Sequence, residues 1–165
     1  MNEATTTLYR PVGPKELALI EASGFREFPP RLPQQPIFYP VLNEAYAIQI
    51  ARDWNTKQHS RVGFVTRFDI DDAFVVRFER HIVGSRVHEE LWVPAEELVE
   101  FNRHIVGRIE VVAAYFGDGW RGHTGDATGT AGLFDRLAAA AEEKGDSVLA
   151  RLLRVETGTL RSNLE

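Results

Sequence analysis

The sequence predicts a single α+β domain, because short apolar segments with two different periodicities alternate along it. Residues 62–70 alternate in the manner of a half-buried strand, with Phe64, Thr66 and Phe68 on one face. Residues 44–54 instead place apolar side chains three and four positions apart, as an amphipathic helix does. The chain has 165 residues, a length typical of one domain with a core of its own.

Proline, glycine and asparagine mark the element boundaries in the first third of the chain. Pro14 suits the first turn of a helix, Gly24 suits its end, and Asn43 is a typical N-cap. Four prolines within residues 28–36 remove backbone donors, which predicts a surface loop. The predicted elements are a strand over residues 8–10, a helix from 14 to about 24, a strand over 37–39 and a helix over 44–54.

The middle of the chain is predicted to be rich in strands. Asp69, Asp71 and Asp72 follow the strand over residues 62–70, and aspartates in this position favour the cap of a short helical turn over a cation site. Further strands are expected over residues 80–83, 87–93 and 108–116, with a short helix or loop over 95–102. Residues 1–116 are therefore predicted to form one α+β body.

The composition changes after residue 116. Residues 117–132 contain six glycines and three threonines, which predicts a flexible linker. Residues 133–165 are expected to form a helical hairpin with a frayed polar tail from residue 157. Its apolar stripe is expected to pack back onto the body; the alternative is a docking surface for a protein partner or a second copy of the chain.

Charge and cysteine content exclude several functions. The chain contains no cysteine, which excludes disulfides, thiol nucleophiles and thiolate zinc sites. A net charge of −5 does not fit a general nucleic-acid binder, although a local basic groove stays open. No apolar run is long enough for a bilayer and the first residues do not resemble a secretory signal, so we expect a cytoplasmic protein without membrane contact.

Three segments carry residues suited to chemistry: Tyr9 with Arg10, Tyr39 with Tyr46, and the run that begins at His88 and includes Glu89 and Glu90. Taken singly, each has an ordinary structural explanation, since arginines usually lie at the surface and tyrosines at the rim of a core. Adjacent side chains in a strand point to opposite faces, so one of the two glutamates faces a cleft if that strand is covered. If the strand is an exposed edge, both glutamates are solvated.

In this order the segments resemble the ADP-ribosyltransferase superfamily and small bacterial proteins labelled as ADP-ribosylation proteins. The family's first strand ends in Arg or His, a second motif strand leads directly into a helix, and a later strand carries the catalytic Glu. The matching runs here are Leu8-Tyr9-Arg10, Ile37-Phe38-Tyr39-Pro40-Val41 before the helix with Tyr46, and Glu90-Leu91-Trp92-Val93-Pro94. The resemblance covers residues 7 to 115 and implies an ADP-ribosyltransferase-like split β-sheet with flanking helices.

The resemblance also implies a reaction, the transfer of ADP-ribose from NAD to an unidentified acceptor with release of nicotinamide. It places Glu90 and His88 in the catalytic group. The residues implied in NAD binding are Arg10 with Tyr9, which would hold a phosphate or ribose oxygen, and Tyr39 and Tyr46, which would stack on the nicotinamide. No metal is implied.

The chain mixes features of two branches of the family. Arginine-type members carry a Ser-Thr-Ser run where this chain has Tyr39-Pro40-Val41, and Glu or Gln where it has His88, whereas tyrosine-type members start with His where it has Arg10. A non-catalytic nucleotide-binding or protein-interaction module on the same fold is therefore the alternative function.

Two other motifs are weaker. Residues 117–122 match the dinucleotide pattern G-x-G-x-x-G, but the glycines that follow do not predict the immediate helix that this motif needs. The five histidines show no helical metal-binding spacing; they are His59, His81, His88, His104 and His123.

Overall fold

A computed structural model of the chain describes residues 4–58, 60–84, 88–122 and 126–164. Helices and strands are mixed along it, which confirms the predicted α+β class. The strands are β1 (Thr5–Val12), β2 (Ile37–Phe38), β3 (Val62–Asp71), β4 (Arg80–Ile82), β5 (Glu89–Leu91), β6 (Val93–Pro94) and β7 (Ile105–Phe116). The helices are α1 (Pro14–Ala22), α2 (Glu44–Asp53), α3 (Asp72–Val75), α4 (Leu98–Arg103), α5 (Ala127–Glu143) and α6 (Ser147–Ser162).

The central sheet is built on β3, which pairs antiparallel with β1 on one side and with β7 on the other. Both neighbours start earlier than predicted, because the long β3 supplies pairing partners for residues that are not apolar enough to indicate a strand. Thr5, for example, pairs with Asp71. Beyond β1, Val41 forms antiparallel bridges to Tyr9 and to Glu90, and β5 then pairs with β4. The backbone order is therefore β7, β3, β1, Val41, β5, β4.

The strand predicted over residues 87–93 is divided at Trp92 into β5 and β6, and Val87 lies outside the described residues. β6 pairs with β2, while β5 bridges to Val41. Pro40 lies between these two pairings and has no N–H to donate, so the ladder is interrupted there. Its carbonyl still accepts a hydrogen bond from the Leu91 amide at 2.9 Å.

The sheet buries a different set of side chains on each face. Leu8, Phe64 and Phe68 face the main core, which also takes apolar side chains from α1, α4, α5 and α6. Val65 faces the other side, where α2 covers it with Ala47 and Ala51. Helix α2 ends at Asp53, one residue earlier than predicted, and Trp54 is exposed instead of lying on its apolar face.

The C-terminal helices belong to the same core as the body. The Phe134 ring of α5 meets Phe64 at 5.7 Å and Phe116 at 5.8 Å between ring centres, both edge to face. The helical pair α5–α6 therefore shares its core with residues 1–116. Its apolar stripe packs onto the body, as expected, and α6 continues to Ser162 with Leu160 fully buried, so the tail from residue 157 is helical.

Helical structure extends into residues 117–132, where the composition predicted a flexible linker. Helix α5 begins at Ala127 and contains Gly129 and Gly132, while residues 123–125 lie outside the described residues. The Asp126 carboxylate accepts a hydrogen bond from the Gly129 amide at 2.9 Å and caps the helix. A Cβ at position 129 would overlap that carboxylate, so the glycine makes room for the cap.

Within the described ranges, no helix is both long and apolar enough to cross a bilayer.

Gly63 provides a test of the packing between β3 and α2. A Cβ at this position would lie 2.6 Å from the Ala51 carbonyl oxygen, a backbone atom that cannot turn away. We expect Gly63→Ala to lower the free energy of unfolding by about 1–3 kcal/mol, as overpacking does. Urea denaturation measures this change.

Gly158 in α6 is the matched control, because a Cβ added there would meet no atom of a neighbouring element within 4 Å. Gly158→Ala should raise stability by about 0.5–1 kcal/mol through helix propensity. Equal stabilities for Gly63→Ala and the wild type would contradict the close approach of β3 to α2.

Candidate functional site

The candidate site lies on the face of the sheet that α2 covers. His88, Glu90 and Trp92 follow one another at every second position, so their side chains project to one face. Glu90 is opposite Val41, and Val41 is opposite Tyr9, so these residues share that face. The Asn43 side chain accepts a hydrogen bond from the Tyr46 amide at 2.7 Å and fixes the first turn of α2 above it.

Glu90 is held by two donors. The Tyr46 hydroxyl donates to one carboxylate oxygen at 3.2 Å, and the Trp92 indole N–H donates to the other at 2.9 Å. Each carboxylate oxygen has about two lone-pair sites, so both oxygens keep capacity for a further donor. The carboxylate is therefore oriented by the protein and still able to accept hydrogen bonds from a ligand.

Flat rings surround this carboxylate. Tyr46 stacks on His88 with 4.5 Å between ring centres, and His81 stacks on Trp92 at 3.8 Å. Tyr39 meets Trp92 edge to face at 5.9 Å. Tyr39 and Trp92 are 38% and 40% exposed, which leaves ring surface open to a ligand. We call this group the Glu90 cluster; its members are Tyr39, Tyr46, His81, His88, Glu90 and Trp92.

His88 occupies a fixed position in the Glu90 cluster. Its Nε2 lies 2.8 Å from the Gln49 side-chain oxygen and its Nδ1 lies 3.0 Å from the Val83 carbonyl oxygen. Both ring nitrogens therefore lie against oxygen atoms, of which a neutral ring can donate to one, and the ring stacks on Tyr46. This arrangement favours a positioning role over direct proton transfer to a ligand.

Tyr46 stays a hydrogen-bond donor over a wide pH range. Partial burial, followed by the negative charge of Glu90 and the hydrogen bond to it, raises the pKa of Tyr46 to about 12. The neutral hydroxyl thus keeps Glu90 oriented at neutral pH.

Arg10 lies on the opposite face of the sheet from Glu90. Its neighbour Tyr9 shares the face of Glu90, so alternation turns Arg10 toward the main core. Arg10 Nε and Nη2 donate to the two carboxylate oxygens of Glu16 at 2.7 and 2.9 Å, and the guanidinium lies 4.6 Å from the centre of the Phe38 ring. Only 9% of Arg10 is exposed.

The structure therefore brings together part of the predicted site. Tyr46 contacts Glu90 directly, Tyr39 reaches the group through Trp92, and Tyr9 shares its face. Arg10 lies on the opposite face of the sheet, where Glu16 holds its guanidinium. Sequence reasoning missed Trp92 and His81. The position of Trp92 two residues after Glu90 was a usable signal, whereas His81 enters through its pairing with Glu90, which no local pattern indicates.

No group of three or more histidine, aspartate or glutamate side chains suited to a metal ion occurs in the part of the chain that the structure describes.

The raised pKa of Tyr46 has a measurable consequence for stability. A phenol whose pKa rises from the usual 10 to about 12 on folding favours the folded state below pH 10, and this contribution is lost as the pH rises toward 12. Alkaline titration of phenolate absorbance should show a late step that Tyr46→Phe removes. The stability of Tyr46→Phe should also fall less between pH 10 and 12. Identical titration curves would contradict the contact with Glu90.

The pairing of Arg10 with Glu16 predicts a structural role for Arg10. Arg10→Met should lower the free energy of unfolding by about 1–3 kcal/mol, less than the loss of a fully buried pair because the Glu16 side chain is 23% exposed. Thermal or urea unfolding measures this. The exposed pair of Arg52 and Asp53 offers a control, since Arg52→Met should leave the stability close to that of the wild type.

No protein-family model matches the chain, and no curated protein or solved structure matches it. Its function is therefore argued from its own residues.

Proposed function

We propose that the protein binds a nucleotide at the Glu90 cluster. The observation that carries this proposal is an oriented, partly exposed carboxylate with flat rings on both sides of it. Ribose presents neighbouring hydroxyls that donate to a carboxylate, and a base or nicotinamide presents a flat face to aromatic rings. The ribose of a nucleoside thus matches the Glu90 carboxylate, and its base matches the aromatic rings of the cluster.

A second candidate function is ADP-ribosyl transfer from NAD on an ADP-ribosyltransferase-like fold. Glu90 favours it, because this residue stands where the resemblance places the catalytic glutamate and directly contacts Tyr46 of the preceding motif. The short pairs β2–β6 and β4–β5, set beside the three long strands, are compatible with a split sheet. Arg10 has no role in this proposal, since Glu16 occupies its guanidinium.

The chemical step would separate nicotinamide from ribose. The C–N glycosidic bond breaks and its electron pair goes to the nicotinamide ring, which leaves as neutral nicotinamide. Positive charge develops on the ribose, and the Glu90 carboxylate would stabilise it. An acceptor nucleophile then forms the new bond to the same ribose carbon and loses its proton. The acceptor itself is not identified by the residues of the site.

Glu89→Gln is the matched control for Glu90→Gln. Glu89 lies on the same strand, loses the same charge on substitution by glutamine, and points to the opposite face, where it lies 3.6 Å from Arg80. Glu90→Gln should weaken binding of NAD and ADP-ribose by at least about tenfold, since a charge-assisted hydrogen bond is lost. Glu89→Gln should stay within about twofold of the wild type. Calorimetry measures both.

The same variants separate binding from turnover. Nicotinamide release by the wild type, absent in Glu90→Gln and retained in Glu89→Gln, would support ADP-ribosyl transfer. Binding of NAD without release of nicotinamide would support the nucleotide-binding function and reject ADP-ribosyl transfer. Equal affinities of the wild type and Glu90→Gln, or no binding of either ligand, would reject the Glu90 cluster as a nucleotide site.

A further inference from the structure

A cavity of about 440 Å³ lies at the other end of α2 from the Glu90 cluster. It is formed by the C-terminal end of α2, the 3₁₀ turn Asn55–Lys57 and the chain that follows β7. About 9 Å of helix axis separates Tyr46 from Arg52, which lines this cavity. The two sites share no residue. We call this cavity the basic cleft; its charged lining residues are Arg52, Lys57, Arg61 and Asp118.

The basic cleft has an excess of positive charge. Arg52 is paired with Asp53 at 3.0 Å, whereas Lys57 and Arg61 form no ion pair within the described ranges. Asp118 is acidic among the described lining residues, and the Asp53 carboxylate, which pairs with Arg52, also interacts with Lys57. In a chain with a net charge of −5, three cations beside these two carboxylates leave a local excess of positive charge, which favours an anion.

Close backbone contacts build the basic cleft. Gly117 donates its amide to the Arg61 carbonyl at 2.8 Å, and a Cβ at position 117 would overlap the Thr56 carbonyl oxygen. A Cβ at position 119 would lie 3.1 Å from Arg61 Nε, so Gly119 leaves room for the arginine side chain. The glycines after β7 therefore place the guanidinium at the cleft.

Arg61 also has an unusual backbone. Its φ is 61°, in the left-handed region that is unfavourable for a non-glycine residue. The Arg61 amide donates to the Gln58 carbonyl at 3.0 Å, which holds this conformation together with the bond from Gly117. Because glycine would be unstrained here, the arginine can be replaced by glycine without loss of this backbone conformation.

We propose that the basic cleft binds a phosphorylated small molecule of about the size of a mononucleotide. The forked guanidinium of Arg61 and the ammonium of Lys57 suit phosphate oxygens. The ring of Tyr115, which lines the same cleft, offers a face for the flat part of the ligand. The volume lies within the range of about 300–1,000 Å³ that holds small ligands. This site is independent of the nucleotide function proposed for the Glu90 cluster.

The probes are inorganic phosphate and adenosine monophosphate, titrated at fixed ionic strength because exposed charges are screened by salt. Calorimetry and amide chemical shifts report binding, with Gly117 and Gly119 as local reporters. Lys57→Gln and Arg61→Gly should each weaken binding of both probes by at least about tenfold, as read from the amide shifts of Gly117 and Gly119, which do not respond to nucleotide bound at the Glu90 cluster. Arg61→Gly is the informative variant, because glycine accepts the left-handed backbone and the protein should stay at least as stable as the wild type.

Lys15→Gln and Arg151→Gln are matched controls, since they remove the same charge at exposed positions of α1 and α6. They should change affinity by less than about twofold. Unchanged binding in the Lys57→Gln/Arg61→Gly double variant, or no binding of either probe to the wild type, would overturn the proposal. Tighter binding of a single-stranded oligonucleotide than of adenosine monophosphate, lost in the same double variant, would overturn it in favour of nucleic acid.

Discussion

The double bridge at Val41 is the constraint on which the candidate site depends. Its backbone amide and carbonyl pair with Tyr9 at 2.8 and 2.9 Å, and its other side is opposite Glu90. This short segment joins the three long strands to the β4–β5 pair, and α2 starts three residues later. The bridge therefore sets both the distance of Glu90 from α2 and the face to which Glu90 points. Because alternation then turns Arg10 away, the same register that joins Tyr46 to Glu90 separates Arg10 from them.

The charged groups on the two faces of the sheet are compensated in different ways. On the core face, Arg10 is almost fully buried, and both oxygens of Glu16 and the face of Phe38 compensate its charge. A buried cation without such a partner would be strongly destabilising. On the α2 face, Glu90 accepts hydrogen bonds from the neutral donors of Tyr46 and Trp92, and it stays partly exposed. Among the described residues no cation forms an ion pair with Glu90, so its charge is available to a ligand.

Local signals in the sequence predicted most of the elements, whereas pairing between distant segments could not be predicted. Pro14, Asn43 and Asp71 act within a few residues of their own position, and each marks a helix start as expected. The register of Val41 with Tyr9 and Glu90 depends on segments that are far apart in the chain. The sequence therefore did not predict to which face of the sheet Arg10 points. Tyr9 and Arg10 are neighbours on a strand, and alternation alone could have excluded a shared pocket for both. Helix α5 starts early because Asp126 caps it. The glycine-rich composition around Asp126 predicts a loop, so this cap was not recognised in the sequence.

The charges at the two ends of α2 are partly explained by the helix itself. Glu44 and Glu90 lie near its N-terminus, where negative charge is favourable, and Arg52 and Lys57 lie near its C-terminus, where positive charge is favourable. This effect contributes about 0.3–1 kcal/mol per charge and fades within the last turn. It therefore accounts for Arg52, and in part for Lys57, without any ligand. Arg61 lies eight residues beyond the end of α2 and has a left-handed backbone, so the helix dipole does not explain why a cation is held there.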